Sequence, residues 1–180
     1  MTNEPKAPAY TVAARVLHWI TAALILIIIP LGLIIGYELG GKLQDQLYDL
    51  HRSIGALLIP ILLVRVIHRW THVPSPLPDY ISHFQQLAAH VTHWALYVLL
   101  IGQPFIGWIA TSAYRAPITV FGLFDLPPIW PEERAFSDRM FLIHAMIGFA
   151  IAALVAAHIA AALHHHFVRK DRVLMRIITG

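Results

Sequence analysis

Four long apolar stretches constrain the fold of this chain more than any other feature. A helix needs about 20 apolar residues to cross the hydrocarbon layer of a membrane, which is about 30 Å thick. The chain has 180 residues, of which 58% are hydrophobic and only 13% are charged. The apolar stretches cover residues 16–37, 50–66, 92–114 and 140–167. The sequence therefore predicts an all-α membrane protein, a four-transmembrane-helix bundle that forms one domain over residues 1–180.

The residues before the first stretch are polar, and no convincing small-residue cleavage site follows them. A signal peptide would have a shorter apolar core, so the first stretch is predicted to remain as a span. If the N-terminus is cytoplasmic, the inner side carries eight Lys or Arg and three acidic residues, including Lys6 and Glu4. The outer side then carries five basic and seven acidic residues. The positive-inside rule therefore predicts that both termini lie in the cytoplasm.

The chain has no cysteine. This excludes disulfides, thiolate-held iron–sulfur clusters and covalently attached c-type haem. Histidine is then the natural ligand for any redox metal. The basic residues of the inner loops fit the anionic head groups of the lipid bilayer better than nucleic acid.

Four histidines lie within or at the ends of the apolar stretches, where an ionisable side chain is costly and usually functional. They are His18, His51, His144 and His158. His144 and His158 are 14 residues apart, which at 100° per residue brings both imidazoles to nearly the same helix face. Their axial separation is about 21 Å. That distance predicts two metal sites near opposite membrane surfaces and excludes one shared site.

The depths of these residues predict two pairs, His18 with His158 on the inner side and His51 with His144 on the outer side. We expect each pair to hold a b-type haem, although hydrogen bonding between helices would also explain buried imidazoles. A small residue follows each histidine one turn later, on the same face, and would leave room for a porphyrin or let two backbones approach. These residues are Ala22, Gly55, Gly148 and Ala162.

His165 lies 7 residues after His158, so an unbroken α-helix would place it near the same face, closer to the cytoplasm. It could bond a haem propionate, hold a quinone oxygen or mark the interface. His90 and His93 have a spacing that could ligate metal, but interfacial positions explain them better. Several arginines could neutralise propionates or anchor lipid phosphates. They are Arg15, Arg65 and Arg69 on the inner side, and Arg52 and Arg139 on the outer side.

The sequence resembles the bacterial cytochrome b561 family, most closely its superoxide oxidase branch, over nearly its whole length. The resemblance rests on LHW at 17–19, LHRSIG at 50–55, AHVTH at 89–93 and HIAAALHHHF at 158–167. It implies two b-type haems in the bacterial inner membrane, ligated by His18, His51, His144 and His158. It also implies that superoxide is oxidised at the periplasmic face and that ubiquinone is reduced near the inner haem, where His165 corresponds to the quinone-side histidine.

A surface site that captures superoxide should be basic, yet the outer loops are acidic overall. Lys42, Arg52 and Arg115 are the residues that could still form a local basic patch there. One alternative function is an electron carrier fed by a partner dehydrogenase or hydrogenase. The loop between residues 114 and 139 could then be a docking surface, or a lid over the outer haem. Nothing in the sequence indicates an obligate protein partner. A third alternative is a channel or metal transporter, which would lack acidic partners because no Asp or Glu falls within the predicted spans.

Overall fold

A computed structural model describes residues 10–179 of the chain. Within them, four helices are long and apolar enough to cross a membrane. They are α1 (Val12–Ile35), α2 (Gly41–Thr71), α3 (His83–Tyr114) and α4 (Arg134–Leu163). The predicted four-helix membrane bundle is confirmed. Lys6 and Glu4, which entered the charge count, lie outside the described residues.

The helices are longer than the apolar stretches predicted, and α2 shows the largest difference. It was expected at 50–66 and instead runs from Gly41 to Thr71. Hydropathy marks only the turns inside the hydrocarbon layer, whereas a helix continues through the head-group region for as long as its backbone is paired. The extended ends of α2 and α4 also contain Asp45, Asp49 and Asp138. These helices are therefore not free of acidic residues, as the shorter predicted spans were.

Side-chain caps define where two of the helices begin. The Thr11 hydroxyl accepts a hydrogen bond from the Ala14 amide at 3.1 Å, and the Ser82 hydroxyl accepts one from Gln85 at 3.4 Å. Such caps satisfy amides that have no partner within the helix. They place the starts of α1 and α3 several residues before the first strongly apolar turn.

The bundle is built from two closely packed pairs of helices, α1 with α2 and α3 with α4, joined mainly through α2 and α3. By contrast, α1 has few contacts with α4. A core of aliphatic side chains occupies the middle of the bundle. It comprises Ile25, Ile54, Leu58, Leu62, Leu100 and Ile151. The histidine pairs lie beyond this core, toward either end.

A short β-hairpin covers the outer end of α2. Its strands, β1 (Thr119–Val120) and β2 (Phe124–Asp125), are antiparallel. The buried Ser53 hydroxyl donates to the Thr119 carbonyl at 3.3 Å and accepts from the Phe121 amide at 2.9 Å. Arg52 donates to the Pro117 carbonyl at 3.2 Å. The connection after α3 is therefore folded onto the bundle beside His51.

The end of the fourth predicted span differs from an α-helix. After Leu163 the chain continues as a π-helical segment (His164–Arg169), followed by a short helix α5 (Met175–Ile178). Lys170, which directly follows the π-helical segment, adopts a left-handed conformation with φ of 55°. An α-helical angle of 100° per residue does not hold across this segment. The orientation predicted for His165 from that angle is therefore replaced by the contacts described below.

Candidate functional site

The outer histidine pair joins α2 to α4. The ring centroids of His51 and His144 are 6.1 Å apart, and the ring planes lie at 75° to each other. Both side chains are largely enclosed, and within residues 10–179 neither Nδ1 atom has a hydrogen-bond partner of normal geometry. Buried imidazole nitrogens usually have a partner, so this pair has unused ligand capacity.

The inner histidine pair joins α1 to α4. The ring centroids of His18 and His158 are 6.4 Å apart, and the ring planes lie at 57° to each other. His93, on α3, is also present, with its ring centroid 5.3 Å from that of His158. The structure therefore brings together both pairs predicted from the sequence, and adds a third imidazole at the inner end.

The spacing of both pairs fits an iron bound between two imidazoles. Metal–nitrogen bonds of about 2.0 Å on opposite sides of a metal put the two ring centroids roughly 6 Å apart. Direct hydrogen bonding between the rings would bring them closer than this. Within the described residues, no group of three or more His, Cys, Asp or Glu is arranged to hold a bare metal ion.

A family model for prokaryotic cytochrome b561 matches residues 9–180. The chain belongs to the prokaryotic cytochrome b561 family. The resemblance stated from the sequence is thereby confirmed, and with it a membrane electron carrier that uses b-type haem. This assignment favours a redox protein over a channel.

Three relatives are similar to the chain over most of their length. Cytochrome b561 homolog 2 of Escherichia coli (strain K12) is 35% identical over 182 residues, covering 98% of this chain and 94% of that protein. Cytochrome b561 homolog 1 of the same strain is 30% identical, with coverage of 90% and 92%. The probable superoxide oxidase CybB of Yersinia pestis is 28% identical, with coverage of 90% and 91%.

Two glycines lie against the outer histidines of this cytochrome, and neither was among the small residues predicted from the sequence. A Cβ atom added to Gly32 on α1 would lie 3.1 Å from Cε1 of His51, and one added to Gly107 on α3 would lie 3.0 Å from Cε1 of His144. A Cβ atom added to the predicted Gly55 would lie 3.9 Å from Cδ1 of Ile28, and one added to the predicted Gly148 would lie 3.4 Å from Nε2 of Gln103.

Gln103, on α3, was also missed. Its side-chain amide donates to the backbone carbonyl of His144 at 2.7 Å, while its own side-chain oxygen is buried and has no partner among residues 10–179. A polar residue in the middle of an apolar stretch is a usable sequence signal. The glycine contacts gave no such signal, because each glycine lies on a different helix from the histidine that it touches.

An arginine contacts the inner pair. Arg65 on α2 has Nη2 2.9 Å from Nδ1 of His18, and its guanidinium lies 5.3 Å from the centre of the Tyr97 ring. A guanidinium can only donate, so Nδ1 of His18 is the acceptor and the ring proton lies on Nε2. Iron binding through Nε2 requires Arg65 to release Nδ1. Among the arginines predicted to neutralise propionates, Arg65 is therefore placed directly beside a haem-ligand candidate.

His165 is held by an acidic residue that sequence reasoning did not pair with it. Its Nδ1 donates to Oδ2 of Asp171 at 2.6 Å, and both side chains are mostly buried, at 13% and 10% exposed. Arg169 lies 3.7 Å from the same carboxylate and donates to Gln85 of α3 at 2.8 Å. The π-helical segment and the turn after it create this pairing.

The three outer cations, Lys42, Arg52 and Arg115, do not form one cluster in the structure. Arg115 directly follows α3, and its Nε lies 3.7 Å from Oε2 of Glu132. Arg52 donates to the Pro117 carbonyl, and its guanidinium lies 5.0 Å from the centre of the Tyr48 ring. Lys42 is exposed near the start of α2, ten residues before Arg52. Arg52 and Arg115 share the region around Pro117, whereas Lys42 lies about 15 Å further along its helix.

Proposed function

We propose that this cytochrome oxidises superoxide at the periplasmic face and reduces ubiquinone near its cytoplasmic end. Two superoxide ions would be oxidised to two molecules of oxygen. The two electrons that they release, together with two protons, would convert one quinone to quinol. The observation that carries the proposal is the presence of two histidine pairs with metal-binding spacing at opposite ends of one bundle.

His51 and His144 would hold an outer b-type haem, and His18 and His158 an inner one. When bound, each haem supplies a one-electron redox centre. The two imidazoles of a pair would hold the iron between α2 and α4 at the outer end and between α1 and α4 at the inner end. The spacing of the ring centroids and the unpartnered Nδ1 atoms of the outer pair support this assignment.

Superoxide as the donor is supported by the name of the Yersinia pestis relative and by Arg52 and Arg115 beside the hairpin. A fixed positive charge raises the encounter rate with a small anion. The role proposed for these two arginines is to attract superoxide toward the outer pair. Lys42 would contribute only to the longer-range field, because it lies further along α2.

Ubiquinone as the acceptor is supported by the buried His165–Asp171 pair. Because Nδ1 of His165 is engaged by the carboxylate, Nε2 is the nitrogen left to bond a quinone oxygen. In the protonated ring, Nε2–H can donate to that oxygen and pass its proton on as the quinone is reduced. Asp171 would then hold the ring in position and stabilise its charged form.

The proposed orientation places both termini on the cytoplasmic side of the bacterial inner membrane, and residues 1–180 would form one domain. An even number of spans puts the start of α1 and the end of α4 on the same side. The basic residues around residues 169–176 support the cytoplasm as that side. Fusion of a reporter enzyme that is active only in the periplasm would test the orientation. Activity of a C-terminal fusion would contradict it.

Stopped-flow mixing of the purified oxidised protein with superoxide tests the proposed donor. We expect the haem absorbance to show reduction faster than superoxide disappears on its own, and added ubiquinone to reoxidise the protein. Replacement of Arg115 by Ala should slow the superoxide step several-fold and weaken its dependence on salt. Replacement of the exposed Lys170 on the opposite side is the matched control. Absence of fast reduction would contradict the proposed activity.

The second proposed function is an electron carrier fed by a protein partner. It is favoured by the hairpin, whose Phe121, Leu123 and Phe124 are 49%, 79% and 56% exposed. This alternative would be established if superoxide failed to reduce the purified protein and a membrane dehydrogenase reduced it. Changing all three side chains to Ser should then abolish reduction by the partner and leave chemical reduction by dithionite intact.

A further inference from the structure

The same local arrangement occurs on both sides of the outer histidine pair. His51 of α2 lies against Gly32 of α1, and His144 of α4 lies against Gly107 of α3. Added Cβ atoms would approach the imidazole Cε1 atoms to 3.1 and 3.0 Å, and the Nδ1 atoms to 3.7 and 3.3 Å. Ordinary carbon–carbon contacts lie at about 3.5 to 4.0 Å. Each ring thus occupies space that any other residue at the glycine position would fill.

Each glycine also leaves one particular backbone carbonyl uncovered. In an α-helix the Cβ atom of a residue leans toward the preceding turn, where the amide of that residue bonds the carbonyl four residues earlier. For Gly32 that carbonyl belongs to Ile28, and for Gly107 it belongs to Gln103. The contacts of the two glycines place the Cε1–Nδ1 edge of the His51 ring beside this turn of α1, and the same edge of the His144 ring beside this turn of α3.

A carbonyl oxygen has two lone pairs and can accept a second hydrogen bond. In the structure neither Nδ1 atom forms a close bond to its carbonyl. A small rotation of each ring toward the neighbouring helix would complete the bond, because the glycine presents no obstacle. The Gln103 side chain additionally binds the backbone of His144, at 2.7 Å, and so fixes the height of α4 against α3.

We infer that Gly32 and Gly107 are positioning residues for the outer haem. They let Nδ1–H of His51 and His144 donate to the carbonyls of Ile28 and Gln103, which leaves Nε2 of each ring free for iron. Such a bond selects the ligating tautomer, orients the ring and raises the basicity of the ligand. This inference rests on the proposed function, since it assumes that these two histidines bind the outer haem.

Among residues 10–179, no glycine lies in such contact with His18 or His158 of the inner pair. At His18 the Nδ1 atom faces the guanidinium of Arg65, which can donate but cannot accept. The outer haem alone should therefore depend on the glycines. This asymmetry makes the inference testable within one molecule, because the inner haem serves as an internal reference.

The experiment replaces Gly32 and Gly107 separately by Ala and uses Gly102→Ala as the matched control. Gly102 is also on α3, and a Cβ there would meet nothing within 4 Å. Redox titration and electron paramagnetic resonance of the oxidised protein resolve the two low-spin haems. We expect G32A and G107A to raise the midpoint potential of the outer haem and to shift its largest g value, because the ligand loses basicity and the ring turns. G102A should reproduce both signals of the wild-type protein.

Wild-type outer-haem signals in both G32A and G107A would overturn the inference and leave the proposed function intact. If a variant fails to assemble, nitrogen-15 NMR of labelled histidines in the dithionite-reduced wild-type protein, which is low-spin and diamagnetic, decides the question. Protonated Nδ1 atoms support the inference if their chemical shift is that of a hydrogen bond to a carbonyl and their signals are absent from H144A. Protonated Nδ1 atoms without that chemical shift overturn it. A wild-type protein that contains fewer than two haems would instead overturn the proposed function.

Discussion

The two ends of the bundle use the same type of residue pair in different surroundings. At the outer end, His51 and His144 lie against glycines and backbone groups, and the hairpin covers the end of α2. At the inner end, His18 and His158 lie beside the Arg65 guanidinium and the His93 ring. The haem held by the outer pair should therefore respond mainly to changes in the volume of neighbouring side chains. The haem held by the inner pair should respond mainly to changes in their charge.

The largest effect is expected when one pair loses a ligand. His144→Ala should remove the outer haem and leave the inner one, so that the reduced α-band absorbance falls by about half and superoxide no longer drives quinone reduction. His158→Ala should remove the inner haem instead. Haem content and turnover of the two purified variants measure this. Full turnover in H144A would contradict electron transfer through both ends.

Removal of the charge beside the inner pair should have the next largest effect. A nearby positive charge favours the reduced form of a redox centre, so Arg65→Met should lower the midpoint potential of the inner haem by tens of millivolts. A tenfold change in a one-electron equilibrium is about 59 mV. Arg139→Met, at an exposed outer site, is the control. An unchanged inner potential would show that the contact between Arg65 and His18 has no electrostatic role.

A smaller effect is expected at the proposed quinone site around His165. His165→Ala should slow quinone reduction about tenfold while both haems remain bound, and Asp171→Asn should have a weaker effect in the same direction, because the ring is still present but less firmly held. His164→Ala is the control, since His164 is exposed and adjacent. The rate of haem reoxidation by ubiquinone measures all three. Unchanged quinone kinetics in H165A would indicate a structural imidazole.

The smallest effect should come from the hairpin that covers the outer end. Ser53→Ala removes both hydrogen bonds to the Thr119 carbonyl and the Phe121 amide, leaving two backbone groups without that partner. The expected loss of stability is about 1 to 3 kcal/mol. Thermal unfolding followed by circular dichroism measures the change. Thr71→Ala, which removes only exposed bonds at the end of α2, is the control and should change the melting temperature little.

Several features of the site could be predicted because they depend on local chain geometry alone. The apolar stretches identify the spans, since transfer into lipid depends on the composition of each segment. The 14-residue spacing of His144 and His158 places them about 21 Å apart on one face, because the pitch of a helix is constant. The predicted partners of these two histidines followed from membrane depth.

Other features needed contacts between residues that are distant in the sequence. The pairing of His165 with Asp171 could not be found, because the prediction assumed α-helical geometry where the chain forms a π-helical segment. The contact of Arg65 with His18 depends on how α1 rotates against α2. The local basic patch that Lys42, Arg52 and Arg115 could have formed was not found as a unit, because Arg115 pairs with Glu132 and Lys42 lies further along α2.

By itself the sequence determined that the chain crosses a membrane four times and carries histidines at two depths, because hydropathy and helical pitch are properties of each segment. Only the tertiary structure decided what surrounds each imidazole. Gly32 and Gly107 gain their importance from the helix packed against them, since the room that a missing Cβ leaves matters only where a neighbouring ring occupies it.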